Sequence, residues 1–250
     1  MKKGKKDLFI IFGATSGIGK ALYVYASRFP ENEFILANRK SAKMTNRNVY
    51  RRLTLDLSRS FTRDQLAKLR QIFSQLEGYR SVCLVLNASV IRPIRRIGTA
   101  GDELLVEACH VNFLNYERII NSFIAATRHL RARKKILAIS SGAAETPQIG
   151  LSSYCSTKAA LEMFVKCFFL EQQRKSEYSI LAVRPGVVDT KMQKKIRSSN
   201  KENFPKVDLY RKAFKQKKLL KPEWVAHKIY SLLKPDLHWT RPVIDISEIA

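Results

Sequence analysis

Short apolar runs alternate along the chain with longer segments in which apolar residues recur at helical spacing. Buried parallel strands read as continuous apolar runs and are joined by helical crossovers, so this alternation predicts a parallel sheet with helices on both faces. Seven strands are expected, at 7–13, 33–38, 49–55, 81–87, 134–140, 178–184 and 242–246. Helices are expected at 17–29, 62–77, 102–131, 154–175 and 222–234. The pattern predicts an α/β fold with one doubly wound, Rossmann-type, seven-stranded parallel sheet.

Length and composition indicate one domain. The 250 residues contain no internal repeat and no linker, so we expect a single domain over 1–250. The segment 190–220 interrupts the alternation and is expected to form a helical flap over the carboxyl edge of the sheet, where such folds bind ligands. No apolar run approaches the roughly 18 residues of a membrane span. Four scattered cysteines without zinc-like spacing predict a cytoplasmic protein with no metal site.

The chain is strongly basic. It has 46 Lys and Arg against 21 Asp and Glu, a formal net charge of +25. Twelve of these cations lie between Lys191 and Lys221. Such a surface attracts polyanions, but the segment matches no zinc-finger, RNP or helix-turn-helix pattern. A generally basic surface is favoured over a specific nucleic-acid site, and it is compatible with a phosphorylated cofactor.

Three glycines, Gly13, Gly17 and Gly19, join the first predicted strand to the first predicted helix. A P-loop is excluded because Ile18 stands where its second glycine is required. The spacing also differs from G-x-G-x-x-G, but a tight turn before a helix N-terminus still suits a pyrophosphate. Two interpretations stay open at this point: a dinucleotide loop, or glycines that only turn a strand into a helix.

Polar residues follow the next three predicted strands. Arg39 lies 20 residues after Gly19, where dinucleotide folds place an acid for the ribose 2′-hydroxyl or an arginine for a 2′-phosphate. With Lys40 beside it and no acid there, NADP(H) is favoured over NAD(H), although ordinary surface cations remain the alternative. Asp56 and Asn87 end the third and fourth strands at the same edge, where base and ribose contacts are expected.

Tyr154 and Lys158 are four residues apart and share one face of a predicted helix. A nearby cation favours the phenolate, and lowering the tyrosine pKa by about three units takes about 4 kcal/mol, which a lysine together with a cationic nicotinamide ring in a half-dry site could supply. We therefore expect Lys158 to lower the pKa of Tyr154. The alternative is a helical Tyr and Lys without a catalytic role.

The same Tyr-x-x-x-Lys pattern recurs at Tyr230, so its context must decide between the copies. Thirteen residues before Tyr154 lies Ser141, at the carboxyl end of a predicted strand, where its hydroxyl could bind a substrate carbonyl. Thirteen residues before Tyr230 lies Lys217, in the basic segment. The first copy is therefore predicted to be the site.

Taken in order, these motifs resemble the short-chain dehydrogenase/reductase family over essentially the whole chain. The motifs are Gly13-x-x-x-Gly17-x-Gly19, Asp56-Leu57, Asn87-Ala88-Ser89, Asn112, Ser140-Ser141, Tyr154-x-x-x-Lys158 and Pro185-Gly186-x-x-x-Thr190. The segments around Tyr154, Pro185 and Leu220 look like the benzil reductase branch, a neighbour of sepiapterin reductase. One departure is Ser89, where many members have glycine.

The resemblance implies a catalytic set of four residues. Tyr154 would protonate the carbonyl oxygen as hydride arrives, and Lys158 would lower its pKa. Ser141 would orient the carbonyl, and Asn112 would hold a proton-relay water. Implied cofactor contacts are Gly13, Ser16, Gly17, Ile18 and Gly19 to the pyrophosphate, Asn38 and Arg39 to the adenosine ribose phosphate, Asp56 to the adenine, Asn87 to the adjoining ribose, Tyr154 and Lys158 to the nicotinamide ribose, and Val188 and Thr190 to the carboxamide.

The expected function is NADPH-dependent reduction of a small ketone or 1,2-diketone, and the resemblance to the family implies a homodimer or homotetramer that associates through its long helices. The rival hypothesis is a cofactor-sensing or nucleic-acid-associated protein that keeps the fold and has lost the chemistry. A pure binder does not need Ser141, Tyr154, Lys158 and Asn112 together, so the enzyme is favoured.

Overall fold

The structure is a computed structural model that describes residues 6–39, 49–172 and 177–249. Its seven strands are β1 (Asp7–Phe12), β2 (Asn32–Asn38), β3 (Val49–Thr54), β4 (Ser81–Leu86), β5 (Arg133–Ile139), β6 (Tyr178–Arg184) and β7 (Val243–Asp245). They form one parallel sheet in the order β3-β2-β1-β4-β5-β6-β7. The predicted doubly wound sheet is confirmed, and the strand order reverses beside β1, so a crevice opens between β1 and β4.

Eight α-helices connect the strands. They are α1 (Gly17–Ala26), α2 (Arg63–Ser74), α3 (Asp102–Cys109), α4 (Asn115–Thr127), α5 (Ser152–Gln172), α6 (Lys191–Arg197), α7 (Val207–Lys215) and α8 (Pro222–Leu232). Thr62 caps α2: its hydroxyl accepts from the Gln65 backbone, and the Gln65 side chain accepts from the Thr62 backbone. Pro222 occupies the first turn of α8, where its missing N–H costs nothing.

Both faces of the sheet are covered, which explains the continuous apolar runs. In β1, Leu8, Ile10 and Phe12 pack into the cluster under α2, α4 and α5. The alternate residues Phe9 and Ile11 face the opposite cluster with α1 and α8. All five side chains are at most 2% exposed. A strand buried on both faces has no polar side, so the period of two disappears from its sequence.

The long helix predicted at 102–131 differs from the structure. It consists of α3, a five-residue π-helical segment (His110–Leu114) and α4, which ends at Thr127. π-Helical turns have no clear sequence signal and occur frequently at functional sites. The predicted end of α5 at 173–175 and the residue Lys40 lie outside the described residues.

The segment after β6 forms two short helices, α6 and α7, which we call the flap (residues 190–220). Backbone pairing between Val188 and Leu220 ties its two ends together. Phe204 and Val207, both 0% exposed, pack in a small cluster with Leu151 and Tyr154. The flap is therefore anchored by apolar packing over the carboxyl ends of the strands. That 1–250 behave as one domain stays a prediction.

The second Tyr-x-x-x-Lys copy has a structural role. The Tyr230 ring on α8 stacks on Phe9 and Phe29, with ring centroids 5.9 and 5.0 Å away. Its hydroxyl accepts a 3.0 Å hydrogen bond from Asn32. Tyr230 thus joins α8 to the amino end of β2, opposite the cleft. Among the described residues, no helix is long and apolar enough to cross a membrane.

Candidate functional site

A cleft of about 770 Å³ opens at the carboxyl edge of the sheet. Most of the predicted site residues line it: Gly13, Ser16, Gly17, Ile18, Asn38, Arg39, Asp56, Asn87, Ser141, Tyr154, Lys158, Val188 and Thr190. Gly19 and Asn112 do not line the cleft and lie behind its wall. The fold thus brings residues from β1, β2, β4, β5, α5 and the flap to one edge, although they are distant in sequence.

The glycine loop provides close backbone approach. Gly13 and Gly17 have φ angles of 90° and 56°, the left-handed region that favours glycine. A Cβ at Gly19 would lie 2.3 Å from the Gly13 carbonyl oxygen, and one at Gly13 would lie 2.8 Å from the Ala88 backbone. No side chain other than hydrogen fits at these two positions, so helix and strand pack directly against the loop.

Two asparagines hold this loop in shape. The side-chain Oδ1 of Asn38 accepts from the Ala14 backbone N–H at 2.8 Å. The side-chain Nδ2 of Asn87 donates to the Gly13 backbone carbonyl oxygen at 2.8 Å. Both side chains were expected to contact a cofactor ribose. They line the cleft, but these hydrogen bonds also fix the loop backbone, a role the sequence analysis did not anticipate.

Arg39 and Asp56 lie together at the β2 and β3 end of the cleft. Burial raises the pKa of Asp56, but hydrogen bonds from Ser58 and the cations Arg39 and Arg59 outweigh it, so the pKa lies below its usual value. The Arg39 side chain is exposed. A guanidinium and a carboxylate are therefore both available at the end of the cleft that is distant from Tyr154.

Tyr154 lies at the other end, on the first turn of α5, and is 8% exposed. Burial raises its pKa to about 12, although hydrogen bonding with Ser141 and Ser89 lowers it in part. The expectation of a lowered pKa is not met in this structure, because burial outweighs the hydrogen bonds from Ser141 and Ser89. The phenol therefore keeps its proton at neutral pH.

Lys158 is 1% exposed, and its Nζ donates to the Ile139 carbonyl oxygen at 2.8 Å. The ammonium lies 5.8 Å from the centroid of the Tyr154 ring. Burial lowers the pKa of Lys158 to about 7, while the Glu162 carboxylate raises it in part. Lysine and tyrosine thus share the pocket, but the lysine is held by a backbone carbonyl at the end of β5.

Asn112 is fully buried in the π-helical segment, and its amide is satisfied by protein. Its Oδ1 accepts from the Ser89 hydroxyl at 2.8 Å and from the Val90 N–H at 2.9 Å. Its Nδ2 donates to the Val90 carbonyl at 2.9 Å and to the Thr157 hydroxyl at 3.2 Å. Asn112 therefore connects the loop after β4 to α5 beside Tyr154. Ser89, the departure from the family pattern, is one of its partners.

The flap supplies the remaining wall. The Thr190 hydroxyl caps α6 by accepting from the Gln193 N–H at 3.3 Å, and its methyl group lies 3.3 Å from where a Gly17 Cβ would be. The Met192 sulfur accepts from the Tyr154 hydroxyl at 3.9 Å, and Tyr210 also lines the cleft. The flap thus contacts both the glycine loop and the tyrosine.

Sequence reasoning missed several contributors. It did not find Thr157, Met192, Tyr210, or the ion pair of buried Glu162 with partly buried Arg184. None belongs to a short motif that chemistry alone would single out. The one available signal was Glu162 itself, an acid four residues after Lys158 on a helix face that is otherwise buried.

The cleft fits a dinucleotide on several counts. The N-terminus of α1, a helix of ten residues, opens into it, and the N-cap Ser16 makes no side-chain capping bond. Its free N–H groups and the side-chain-free loop suit a pyrophosphate. Arg39 and Asp56 border one end for an adenosine moiety, and Thr190 and Val188 border the other.

Comparison with known proteins agrees with this geometry. The family model described as short chain dehydrogenase matches residues 7–201. A benzil reductase ((S)-benzoin forming) of Bacillus cereus is 31% identical over 249 residues, covering 96% of this chain and 98% of the relative. One of Bacillus subtilis (strain 168) is 30% identical over 249 residues, covering 97% and 99%.

Solved structures show the same fold. A short chain dehydrogenase/reductase from Saccharomyces cerevisiae superimposes with a TM-score of 0.79 at 20% identity, over 97% of this chain and 96% of that one. At that identity the likeness concerns the fold alone. The family model and the two bacterial relatives carry the assignment: the chain belongs to the short-chain dehydrogenase family of oxidoreductases.

Proposed function

We propose that this protein reduces a small ketone or 1,2-diketone to the alcohol with NADPH. The observation that carries the proposal is the convergence of Tyr154, Ser141 and Lys158 on the cleft that also contains the glycine loop. The family uses a nicotinamide cofactor, which supplies the hydride when it is bound. The bacterial relatives named benzil reductase support a carbonyl substrate.

In this mechanism Tyr154 gives its proton to the carbonyl oxygen. Its pKa of about 12 keeps the hydroxyl protonated at neutral pH, as a general acid requires before the reaction. Ser141 projects from the end of β5, and its Oγ accepts from the Ala143 N–H at 3.2 Å; its hydroxyl, which bonds with Tyr154 in this structure, would donate to the substrate oxygen instead. The nearby Lys158 ammonium stabilises the phenolate that forms as the proton leaves.

Arg39 supports NADPH rather than NADH. It is an exposed cation at the carboxyl end of β2, where dinucleotide folds bind the adenosine ribose, and it lines the cleft. A 2′-phosphate there would gain a charge-assisted contact with the guanidinium. Asp56 already lies close to Arg39, so the phosphate has to compete with a carboxylate for it.

The substrate end of the cleft is apolar. Ile91, Leu151, Met192, Ile196 and Tyr210 line it around Tyr154. This wall favours a hydrophobic ketone, and Ser141 and Tyr154 are the polar groups that orient its carbonyl. An aromatic diketone fits this description and agrees in class with the names of the bacterial relatives.

Exposed apolar side chains on α5 support a homo-oligomer. Met163 and Leu170 lie on one face of α5, two turns apart, and are 60% and 63% exposed. We propose that copies of the chain associate through this face as a dimer or tetramer.

Sedimentation velocity should give a species of at least two chains, and Leu170→Glu should shift it towards the monomer. A wild-type protein that is monomeric at all concentrations would refute this.

Replacing Tyr154 by Phe should lower kcat at least about 1000-fold, because the general acid is lost while the ring remains. NADPH binding, measured by fluorescence titration, should stay within about threefold of wild type. Tyr230→Phe is the matched control: it removes a hydroxyl from the structural copy and should lower the free energy of unfolding by about 1 kcal/mol with unchanged turnover. Appreciable turnover by Tyr154→Phe would defeat the assignment.

The rate of ketone reduction should fall as the pH rises through about 7. Lys158, with its pKa lowered to about 7, loses its charge over this range, whereas Tyr154, at about 12, stays protonated. The loss of the ammonium removes stabilisation from the developing phenolate. The measurement is kcat/KM for the ketone between pH 6 and 9 at saturating NADPH; a rate that is constant over this range would contradict the role given to Lys158.

Arg39→Asp should shift cofactor preference towards NADH by about tenfold or more, since one charge-assisted contact to a phosphate is worth roughly 1.5–3 kcal/mol. The readout is the ratio of kcat/KM for NADPH and NADH. Arg59→Asp is the control, because Arg59 is also exposed and close to Asp56 but does not line the cleft. Equal shifts in both variants would assign the effect to general charge.

A further inference from the structure

Two side chains on one face of α5 hold the carboxyl end of β5. Lys158 donates to the carbonyl oxygen of Ile139 at 2.8 Å. One turn later, Glu162 accepts from the hydroxyl of the next residue, Ser140, at 2.7 Å. Ser141 follows immediately in the chain. A cation and an anion from one helix therefore fix the two residues before the serine that faces the substrate.

Glu162 is 3% exposed and is bound closely by Arg184. The guanidinium donates from Nε to Oε1 and from Nη2 to Oε2 of Glu162, both at 2.8 Å. Arg184 also contacts two more exposed carboxylates, that of the half-exposed Asp245 at 3.8 Å and that of the exposed Glu145 at 2.6 Å. A bidentate pair of this kind keeps the buried carboxylate ionised and holds it in one orientation.

We propose that Glu162 is a positioning residue for the reaction: held by Arg184, its buried carboxylate lies one helical turn after Lys158 as its counter-charge and, through Ser140, fixes the end of β5 from which Ser141 projects. This inference rests on the proposed function of Lys158 and Ser141. Glu162 does not line the cleft, so it acts through other residues rather than on the substrate.

The electrostatic environment of Lys158 leads to this assignment. Burial alone strongly disfavours an ammonium group. Besides the dipole of the Ile139 carbonyl, Glu162 is the anion that favours the charged form of Lys158. The charged and polar groups that act on Glu162 in turn are Lys158 and Lys166 on α5, Arg184 on β6 and Ser140 at the end of β5. Removing the carboxylate takes away the counter-charge that favours the ammonium form of Lys158.

The experiment measures the protonation of Lys158 directly. The amine of this buried lysine is observed by NMR on protein labelled with 13C at Cε of lysine, whose chemical shift changes when Nζ loses its proton, and Lys158→Arg assigns the signal. The Lys158 signal is followed from pH 5.5 to 10. Glu162→Gln should lower the midpoint by at least about half a unit, which is about threefold more neutral amine at a fixed pH below the midpoint.

Two further variants make the test specific. Glu162→Asp keeps the negative charge, so its midpoint should stay nearer to that of the wild type than the midpoint of Glu162→Gln does. Glu145→Gln is the matched control: Glu145 binds the same guanidinium but its side chain is 69% exposed, and its loss should leave the midpoint unchanged. General damage to the fold would shift Glu162→Asp as much as Glu162→Gln, and circular dichroism checks that each variant is folded.

An unchanged midpoint in folded Glu162→Gln, or a shift equal to that of Glu145→Gln, would overturn the proposal. If Glu162→Gln does not fold, the double variant Glu162→Met with Arg184→Met decides, since it removes both partners of the ion pair, and a midpoint that is not lowered overturns the proposal. In ketone reduction, the pH at which kcat/KM falls should follow the midpoint of Lys158. If the wild-type protein reduces no carbonyl compound, the proposed function fails, while the titration still tests the influence of Glu162 on Lys158.

Discussion

A buried ammonium group is the constraint around which the site is arranged. Lys158 is 1% exposed, and a charge removed from water to this extent is costly unless polar groups replace its hydration. The Ile139 carbonyl replaces part of it at 2.8 Å. That carbonyl is available because β5 ends there and its backbone turns away from the sheet. The position of the lysine therefore depends on where β5 ends. In a parallel sheet the carboxyl ends of all strands lie at the same edge, so the lysine is held at the edge where the cleft opens.

Burial acts in opposite directions on the two groups of the Tyr-x-x-x-Lys pattern. It raises the pKa of Tyr154 to about 12 and lowers that of Lys158 to about 7. In both cases the neutral form is favoured, since an apolar environment penalises charge of either sign. A phenol that retains its proton is suited to giving it to a carbonyl oxygen, so the environment agrees with the reductive direction that we propose. The flap contributes to this environment, because Met192 contacts the tyrosine hydroxyl.

The fold could be predicted from the sequence because its signals are local. Each buried strand is a separate apolar run, and the glycine loop, Ser141 and the Tyr154–Lys158 spacing are recognisable within a few residues. The π-helical turn at Asn112 could not be predicted, since it depends on an amide that bonds to a loop 22 residues away. The direction of the Tyr154 pKa shift also depends on burial by the flap and on distances between elements. Spacing along a helix indicated that a cation is near the tyrosine but not how strongly burial raises the pKa of its hydroxyl.

The flap has two different surfaces: its apolar residues pack against the rest of the protein, and its charged residues are exposed. Its underside is held by Phe204 and Val207, both fully buried, whereas its exposed ion pairs, such as Lys201 and Arg211 with Asp208, contribute little to stability. Lys191 and Lys195 are exposed and line the cleft, one helical turn apart on α6. A cationic rim above an apolar floor attracts an anionic dinucleotide over long range while leaving the substrate end hydrophobic. The charge of the chain is therefore compatible with the proposed reaction without a nucleic-acid partner, because the flap that places cations at the cleft also covers the tyrosine.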